Sequence, residues 1–423
     1  MLFKTRYKTT LSSGEYNLFV QEEAMSNSRG TRWGILAWMV CLMGPLSVGV
    51  VLAEPPDGFT KPWQEIETLF RQRLQERHVT GGSLMFVQAG QVIGSTIYGM
   101  ADSETQRKID AKTIYHWGSI TKTLTGIAIM QLRDRDLLSL DDPIIDHLPE
   151  LSPVHNPYGD LRDITIRHIM SHSAGFRGSS WPWGGNESWH PHEPTRWEQL
   201  VAMMPYTKIL FKPGSKYSYS NPAIIFLGQV IEQISGDDFE VYMDKNVLKP
   251  LEMYRTYYDN SPYHLLPDRA NSYFLQDGKF TTNGLDFDTG ITVANGGLNA
   301  PLGDMVNYIS FLTNPVRGYE ILKRSSLEEM WQVQVPIDEN GSLKTSMGLS
   351  YFILEQNGVR YMGHTGTQKG FHSFFYIEPD TRTAAIFVVN TYEIAHQGGS
   401  PTRRLSAEIR DALFEKVFPL FRK

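Results

Sequence analysis

The chain has 423 residues, 41% hydrophobic and 20% charged, with a formal net charge of -6 at pH 7. This is a globular composition with enough apolar residues for a sizeable core, as one large domain or two closely joined ones, and its mild acidity without a basic run excludes nucleic acid as an expected partner. The single cysteine, Cys41, lies in an apolar N-terminal stretch, so the rest of the chain has no thiol nucleophile, disulfide framework or cysteine metal site.

Residues 1–53 read as an N-terminal extension and signal peptide. Arg29 and Arg32 precede a nearly uncharged stretch, 33–53, that ends Val51-Leu52-Ala53 before Glu54-Pro55-Pro56. The pattern predicts cleavage after Ala53 and a secreted or periplasmic destination, with Met25 as the start of translation. The stretch is also just long enough to span a bilayer, so an uncleaved signal anchor is the alternative, and membrane contact is expected only in that case. Val40 before Cys41 does not suit a lipoprotein site.

Residues 54–423 form the second segment. Trp63, Ile66, Leu69, Phe70 and Leu74 predict an amphipathic helix over 63–77. Two β-rich runs, 82–88 and 91–98, meet at Ala89-Gly90 as a hairpin. Ile120, Leu124, Ile127 and Leu132 then recur at helical spacing in a largely buried helix that closes at 133–136. Helices follow over 165–171, 197–204, 222–234 and 305–312. The period then shortens: strands are expected over 348–354, 359–363, 371–377 and 384–390, with a closing helix over 406–418. The expected fold is α/β (α+β): an antiparallel sheet built from both chain ends, with flanking helices and an inserted helical lobe.

The Ser119 helix carries the first chemical signal. Ser119 stands at its first turn with Lys122 on the same face, and the Ser-x-x-Lys pattern, one of the catalytic motifs of serine enzymes, occurs once in the chain. A serine hydroxyl is a weak nucleophile until a base takes its proton, and a lysine serves as that base only when burial or a neighbouring cation lowers its pKa. A second group is Tyr219-Ser220-Asn221, in the loop leading into the 222–234 helix, where a phenol and an amide share one side of an extended backbone. Tyr258-Asp259-Asn260 repeats that spacing without the turn-then-helix context. A third group, His364-Thr365-Gly366, followed by Thr367, is expected at a strand end, with Gly366 permitting close approach of a substrate. Residues 176–197 carry Trp181, Trp183, Trp189 and Trp197, read as lobe packing or as an aromatic flap over a cleft. Within them His190-Pro191-His192-Glu193 mimics a metal pair but has no third ligand at a recognisable spacing. Neither a metal nor an organic cofactor is expected.

Ser119-Ile120-Thr121-Lys122, Tyr219-Ser220-Asn221 and His364-Thr365-Gly366, in that order, resemble the three motifs of the serine β-lactamase and penicillin-binding protein superfamily, closest to the class C β-lactamase and DD-peptidase branch. Residues 138–143, 168–175 and 295–298 resemble that branch too, so the likeness runs over roughly 60–420. It implies a β-lactamase/transpeptidase-like fold and an acyl-enzyme on Ser119, with Lys122 and Tyr219 handling the proton; Tyr219 is the favoured base for deacylation and Lys122 the alternative. It further implies an oxyanion site at the backbone N–H groups of Ser119 and Thr367, with Asn221 orienting the scissile amide or ester. Thr365 and His364 are expected to face a substrate carboxylate or its equivalent.

β-Lactamases commonly have lysine where this chain has His364, and histidine is largely neutral at pH 7. The resemblance therefore implies a serine hydrolase acting on a small-molecule or peptide amide or ester. An esterase of the same fold and a penicillin-binding protein without efficient turnover are the alternatives.

Overall fold

The computed structural model describes residues 55–178, 194–314, 318, 320–394 and 399–422, all within the unit Val48–Lys423. The signal segment, Trp181, Trp183, Trp189 and the His190–Glu193 grouping lie outside the described residues. Among the described residues no helix is long and apolar enough to cross a membrane.

Helix α1 (Thr60–Glu76) buries Trp63, Ile66, Phe70 and Leu74 on one stripe, as its spacing predicts. The chain turns into β1 (Gly81–Gln88) and back through β2 (Gln91–Asp102). Ala89 and Gly90 both take positive φ, 52° and 85°, at the hairpin turn. After β2 come α2 (Thr121–Asp134), α3 (Asn221–Ser235) and α4 (Leu302–Thr313). The C-terminal part supplies β3 (Val335–Asp338), β4 (Leu343–Met347), β5 (Phe352–Gln356), β6 (Val359–Gln368), β7 (Phe371–Glu378) and β8 (Thr383–Val389), then helix α5 (Pro401–Lys416).

These strands make one nine-stranded antiparallel sheet in the order Arg107–Lys108, β2, β1, β8, β7, β6, β5, β4, β3. The junction between the chain ends is the β1–β8 pairing, with Gly82 opposite Val389 and Phe86 opposite Ala385. The sheet is buried on both faces, and its alternation shows it. Leu84 and Phe86 of β1, with Ala385 and Phe387 of β8, face α1 and α5. Met85 and Val87, with Ala384 and Ile386, face α2, α3 and α4. Tyr361 and Phe414 stack at 3.7 Å to fix α5 on β6.

The middle of the chain is less purely helical than expected. It holds two small three-stranded sheets, Ile114–His116 with Leu298–Pro301 and Tyr257–Tyr258, and Tyr273–Gln276 with Lys279–Thr282 and Thr391–Glu393. The strand expected over 348–354 begins only at Phe352, because Ser350 takes φ 64° and its N–H goes to Met170 O. Strand β6 runs on through His364, Thr365 and Gly366 to Gln368 instead of ending at Gly363, since the reversal comes at Lys369 and Gly370, with φ 49° and 83°. The third motif is thus a strand interior.

Candidate active site

The strand Ile114–His116 runs into the 3-10 turn Gly118–Ile120, which delivers Ser119 to the start of α2. Buried Trp117 anchors this turn: its N–H donates to Leu298 O at 2.9 Å and its indole Nε1–H to Ala300 O at 2.9 Å. Gly118 takes φ +51°, and a Cβ there would stand 3.1 Å from Thr367 N, so the turn and β6 are in close contact at this point. Gly366 makes the same approach from β6, where a Cβ would meet Trp117 O at 1.9 Å.

Lys122, one helical turn on, is buried, with Nζ 2.9 Å from Ser119 Oγ and donating to Asn295 O at 2.7 Å. Among the described residues no carboxylate offsets its charge. Burial therefore holds its pKa well below the usual lysine range. Nζ also lies 5.0 Å from the centroid of the Tyr219 ring.

Ser220 caps α3, its Oγ accepting from Ala223 N, with Pro222 in the first turn. That cap sets Tyr219 and Asn221 on either side of it. Burial raises the Tyr219 phenol above its ordinary pKa, against a hydrogen bond with Ser119. Asn221 stands at the first position of α3, where its Oδ1 accepts from Asn295 Nδ2 at 3.1 Å.

Ser119, Tyr219, Asn221, Thr365 and Thr367 all line one cleft of about 560 Å³. His364 is placed differently. Its ring is 1% exposed and absent from the cleft lining, with Nδ1 2.6 Å from its neighbour Thr365 O and Nε2 without a partner among the described residues. Burial and the Lys122 charge press its pKa down to about 3, so it is a neutral ring behind the cleft.

The 295–298 stretch enters the site through the Asn295 carbonyl, which accepts from Lys122. Several cleft groups carry no signal in the sequence reading. Tyr217 and Phe352 form an aromatic wall, rings 6.4 Å apart. Arg403 and Arg410 reach the cleft from α5, and Arg403 makes no ion pair among the described residues, whereas Arg410 pairs with Asp411 at 2.6 Å. Tyr258-Asp259-Asn260, by contrast, is absent from the cleft lining, and Asp259 accepts from Thr289 instead. Among the described residues no group of three or more His, Cys, Asp or Glu is placed to hold a metal ion.

The arrangement is a desolvated amine on a serine hydroxyl, a phenol beside it, and backbone N–H groups at the meeting of a helix start and a strand. Such an arrangement sets a desolvated amine within hydrogen-bond reach of a hydroxyl. The sequence profile of the Beta-lactamase family matches residues 66–407. Protein flp of Staphylococcus aureus strain MW2 is 25% identical over 327 residues, which are 77% of this chain and 63% of that protein. The chain therefore spans under two thirds of that relative's length. Penicillin-binding protein 4* of Bacillus subtilis strain 168 is 22% identical, covering 78% of this chain and 72% of that one. Among solved structures, the octameric penicillin-binding protein homologue from Pyrococcus abyssi superposes with a TM-score of 0.70 at 24% identity, covering 84% of this chain and 78% of that chain. A penicillin-binding protein from Bacillus halodurans gives a TM-score of 0.62 at 22% identity, covering 80% of this chain and 98% of that chain.

Proposed function

The chain belongs to the Beta-lactamase family, and from that premise we propose that it is a serine hydrolase that cleaves an amide or ester through an acyl-enzyme on Ser119. The observation that carries the reading is the buried Lys122 amine, without an acid partner among the described residues, 2.9 Å from Ser119 Oγ at the floor of an open cleft.

In this reading Ser119 Oγ bonds to the substrate carbonyl carbon while its proton passes to the neutral Lys122 amine. The carbonyl oxygen becomes an oxyanion held by the N–H groups of Ser119 and Thr367, donors that act most strongly on charge present only in the transition state. As the tetrahedral intermediate collapses, the C–N or C–O bond to the leaving group breaks. The leaving group takes its proton from Lys122, directly or through Tyr219. Water then attacks the ester carbon, its proton returning to the same pair, and Ser119 leaves with a hydrogen restored. The raised pKa of Tyr219 suits a proton relay, while the lowered pKa of Lys122 suits the base. Asn221 is set to orient the scissile group.

A second reading, an esterase accepting uncharged acyl esters, is favoured by the neutral, inward His364, which supplies no fixed cation to the cleft. Intact-protein mass spectrometry after incubation with a fluorescent penicillin and, separately, with a fluorophosphonate tests the shared chemistry. One adduct on the wild type that is absent from Ser119→Ala supports the acyl-enzyme. Reaction with the fluorophosphonate alone, with hydrolysis of short p-nitrophenyl esters, supports the esterase reading. No adduct with either probe overturns both.

A further inference from the structure

Gln368, the last residue of β6, follows Thr367, and its side chain reaches two other elements of the site. Its Oε1 lies 3.1 Å from His116 Nε2, and its Nε2 donates to Thr292 Oγ1 at 3.1 Å. The amide is seated on Gly296, where a Cβ would stand 2.1 Å from Gln368 Oε1 and 3.0 Å from its Cδ. A Cβ on Gly118 would come within 3.4 Å of Gln368 Cβ, so the stem of the side chain lies against the turn that carries Ser119.

Each of these contacts leads to a reacting group. His116 ends the strand that runs into the Ser119 turn, and Asn299 Oδ1 lies 2.8 Å from its other ring nitrogen, which makes the imidazole a fixed anchor. Thr292 and Gly296 lie on either side of Asn295, whose carbonyl takes the Lys122 amine at 2.7 Å. Thr367 is the chain neighbour of Gln368 itself. One amide therefore ties together the segment that delivers the nucleophile, the segment that holds the amine, and the strand of the second oxyanion donor.

Resting on the acyl-enzyme reading, we infer that Gln368 is a positioning residue for this reaction, its amide clasp setting both the spacing of the Ser119 and Thr367 N–H groups and the place of the Asn295 carbonyl beside Lys122. Oxyanion donors act over a narrow range of distance on charge that the ground state lacks. Loosening the clasp therefore slows acyl transfer and leaves substrate binding nearly unchanged.

Gln368→Met keeps the length of the side chain and fills the seat on Gly296 but has neither amide atom. With whichever of the penicillin and the fluorophosphonate labels the wild type, the acylation rate constant is expected to fall about 100-fold, the scale of a 1 Å misplacement. The probe concentration at half-saturation should change by less than about threefold. A p-nitrophenyl ester and its thiono analogue supply a second readout. Sulfur accepts hydrogen bonds more weakly than oxygen, so the oxo ester owes more to the donors, and the oxo-to-thiono ratio of kcat/KM is expected to fall about tenfold. Thr292→Val removes the outer anchor from outside the cleft lining. It is expected to move both readouts the same way, to add nothing in the Gln368→Met background, and it carries the test if Gln368→Met does not fold. A purely structural role lowers the share of protein that reacts and leaves the rate constant of that share, and the ester ratio, as they were. That result, or additive effects in the double variant, overturns this inference and leaves the hydrolase reading standing; either readout decides alone where the wild type supplies only one. A wild type that takes neither ester nor either acylating probe overturns the hydrolase reading and this inference with it.

Discussion

The imidazole of His172 lies against the phenol of Tyr219, ring centroids 4.4 Å apart, while its Nδ1 accepts the Ser220 N–H at 3.1 Å. One side chain thus sets both the phenol's position and the cap of α3. Removing it should leave a buried N–H unpaired, a loss of about 1–3 kcal/mol, and let the phenol drift. His172→Ala is expected to slow acylation by a fluorescent penicillin about 100-fold, the usual scale for misplaced catalytic groups. His172→Asn, whose Oδ1 replaces the Nδ1 acceptor, should recover much of both losses. Urea unfolding and acylation rates, measured together, check this; an acylation rate that survives His172→Ala refutes it.

Lys122→Met keeps the buried stem and removes the amine. Acylation should fall about 1000-fold, within the range of lost general bases, with no loss of thermal stability, because a desolvated amine is replaced by an apolar group of similar size. Lys122→Arg should be as inactive, since a guanidinium does not give up its proton. The pH profile carries the same logic. The base works unprotonated, and burial lowers its pKa, so acylation should rise with pH along an acid limb that lies well below the usual lysine range. That limb should vanish in Lys122→Met, read by stopped-flow fluorescence of the same probe.

His116, His364 and His372 are buried with pKa values down to about 4, 3 and 3. Each lies below the unfolded value of about 6.5. Between those values the unfolded chain binds the extra protons, so stability is complete above pH 6.5 and is lost as the pH falls toward 4. Each histidine contributes up to about 1.4 kcal/mol per pH unit over that window. The melting temperature should drop steeply between pH 6.5 and 4.5, and His364→Gln should flatten the slope. A melting temperature that stays level to pH 4.5 would count against neutral buried rings.

Gly366→Ala should separate stability from chemistry. The added Cβ would meet Trp117 O at 1.9 Å, so the Gly118–Ile120 turn and β6 must part. The expected cost is about 1–3 kcal/mol in urea unfolding, with a much larger fall in acylation because Ser119 and Thr367 move apart. Equal, small effects on both readouts would show that the contact is not what places the oxyanion donors.

Ser119 and Lys122 were legible because helical spacing is a local rule, and the two share one turn at a helix start. Tyr219 and Asn221 were legible because Pro222 announces the start of α3. The Trp63 helix, the Ala89-Gly90 hairpin and the β-rich apolar runs of β7 and β8 follow from the same short-range rules. His372 and Ser406 were not, since their contact joins a strand to a helix 34 residues away and neither has a periodic signal. The 295–298 stretch stood out by resemblance, but that Asn295 meets Lys122 through its backbone carbonyl is silent in any side-chain pattern. The edge strand β3 and its neighbour β4 are polar on exposed faces, so their alternation is blurred, and β6 outran its expected end because the turn chemistry lies at Lys369-Gly370.

The β1–β8 pairing has a consequence for biosynthesis. Gly82 meets Val389, so the middle of the sheet waits for a strand made near the end of translation. Contacts this distant in sequence close slowly, and until they do the β1 hairpin has an open edge able to recruit another chain. Ser119 emerges from the ribosome early, but its Thr367 partner comes more than two hundred residues later and α5 later still. A nascent or C-terminally truncated chain therefore carries Ser119 without β6 or α5, and the cleft lining is complete only with the last helix.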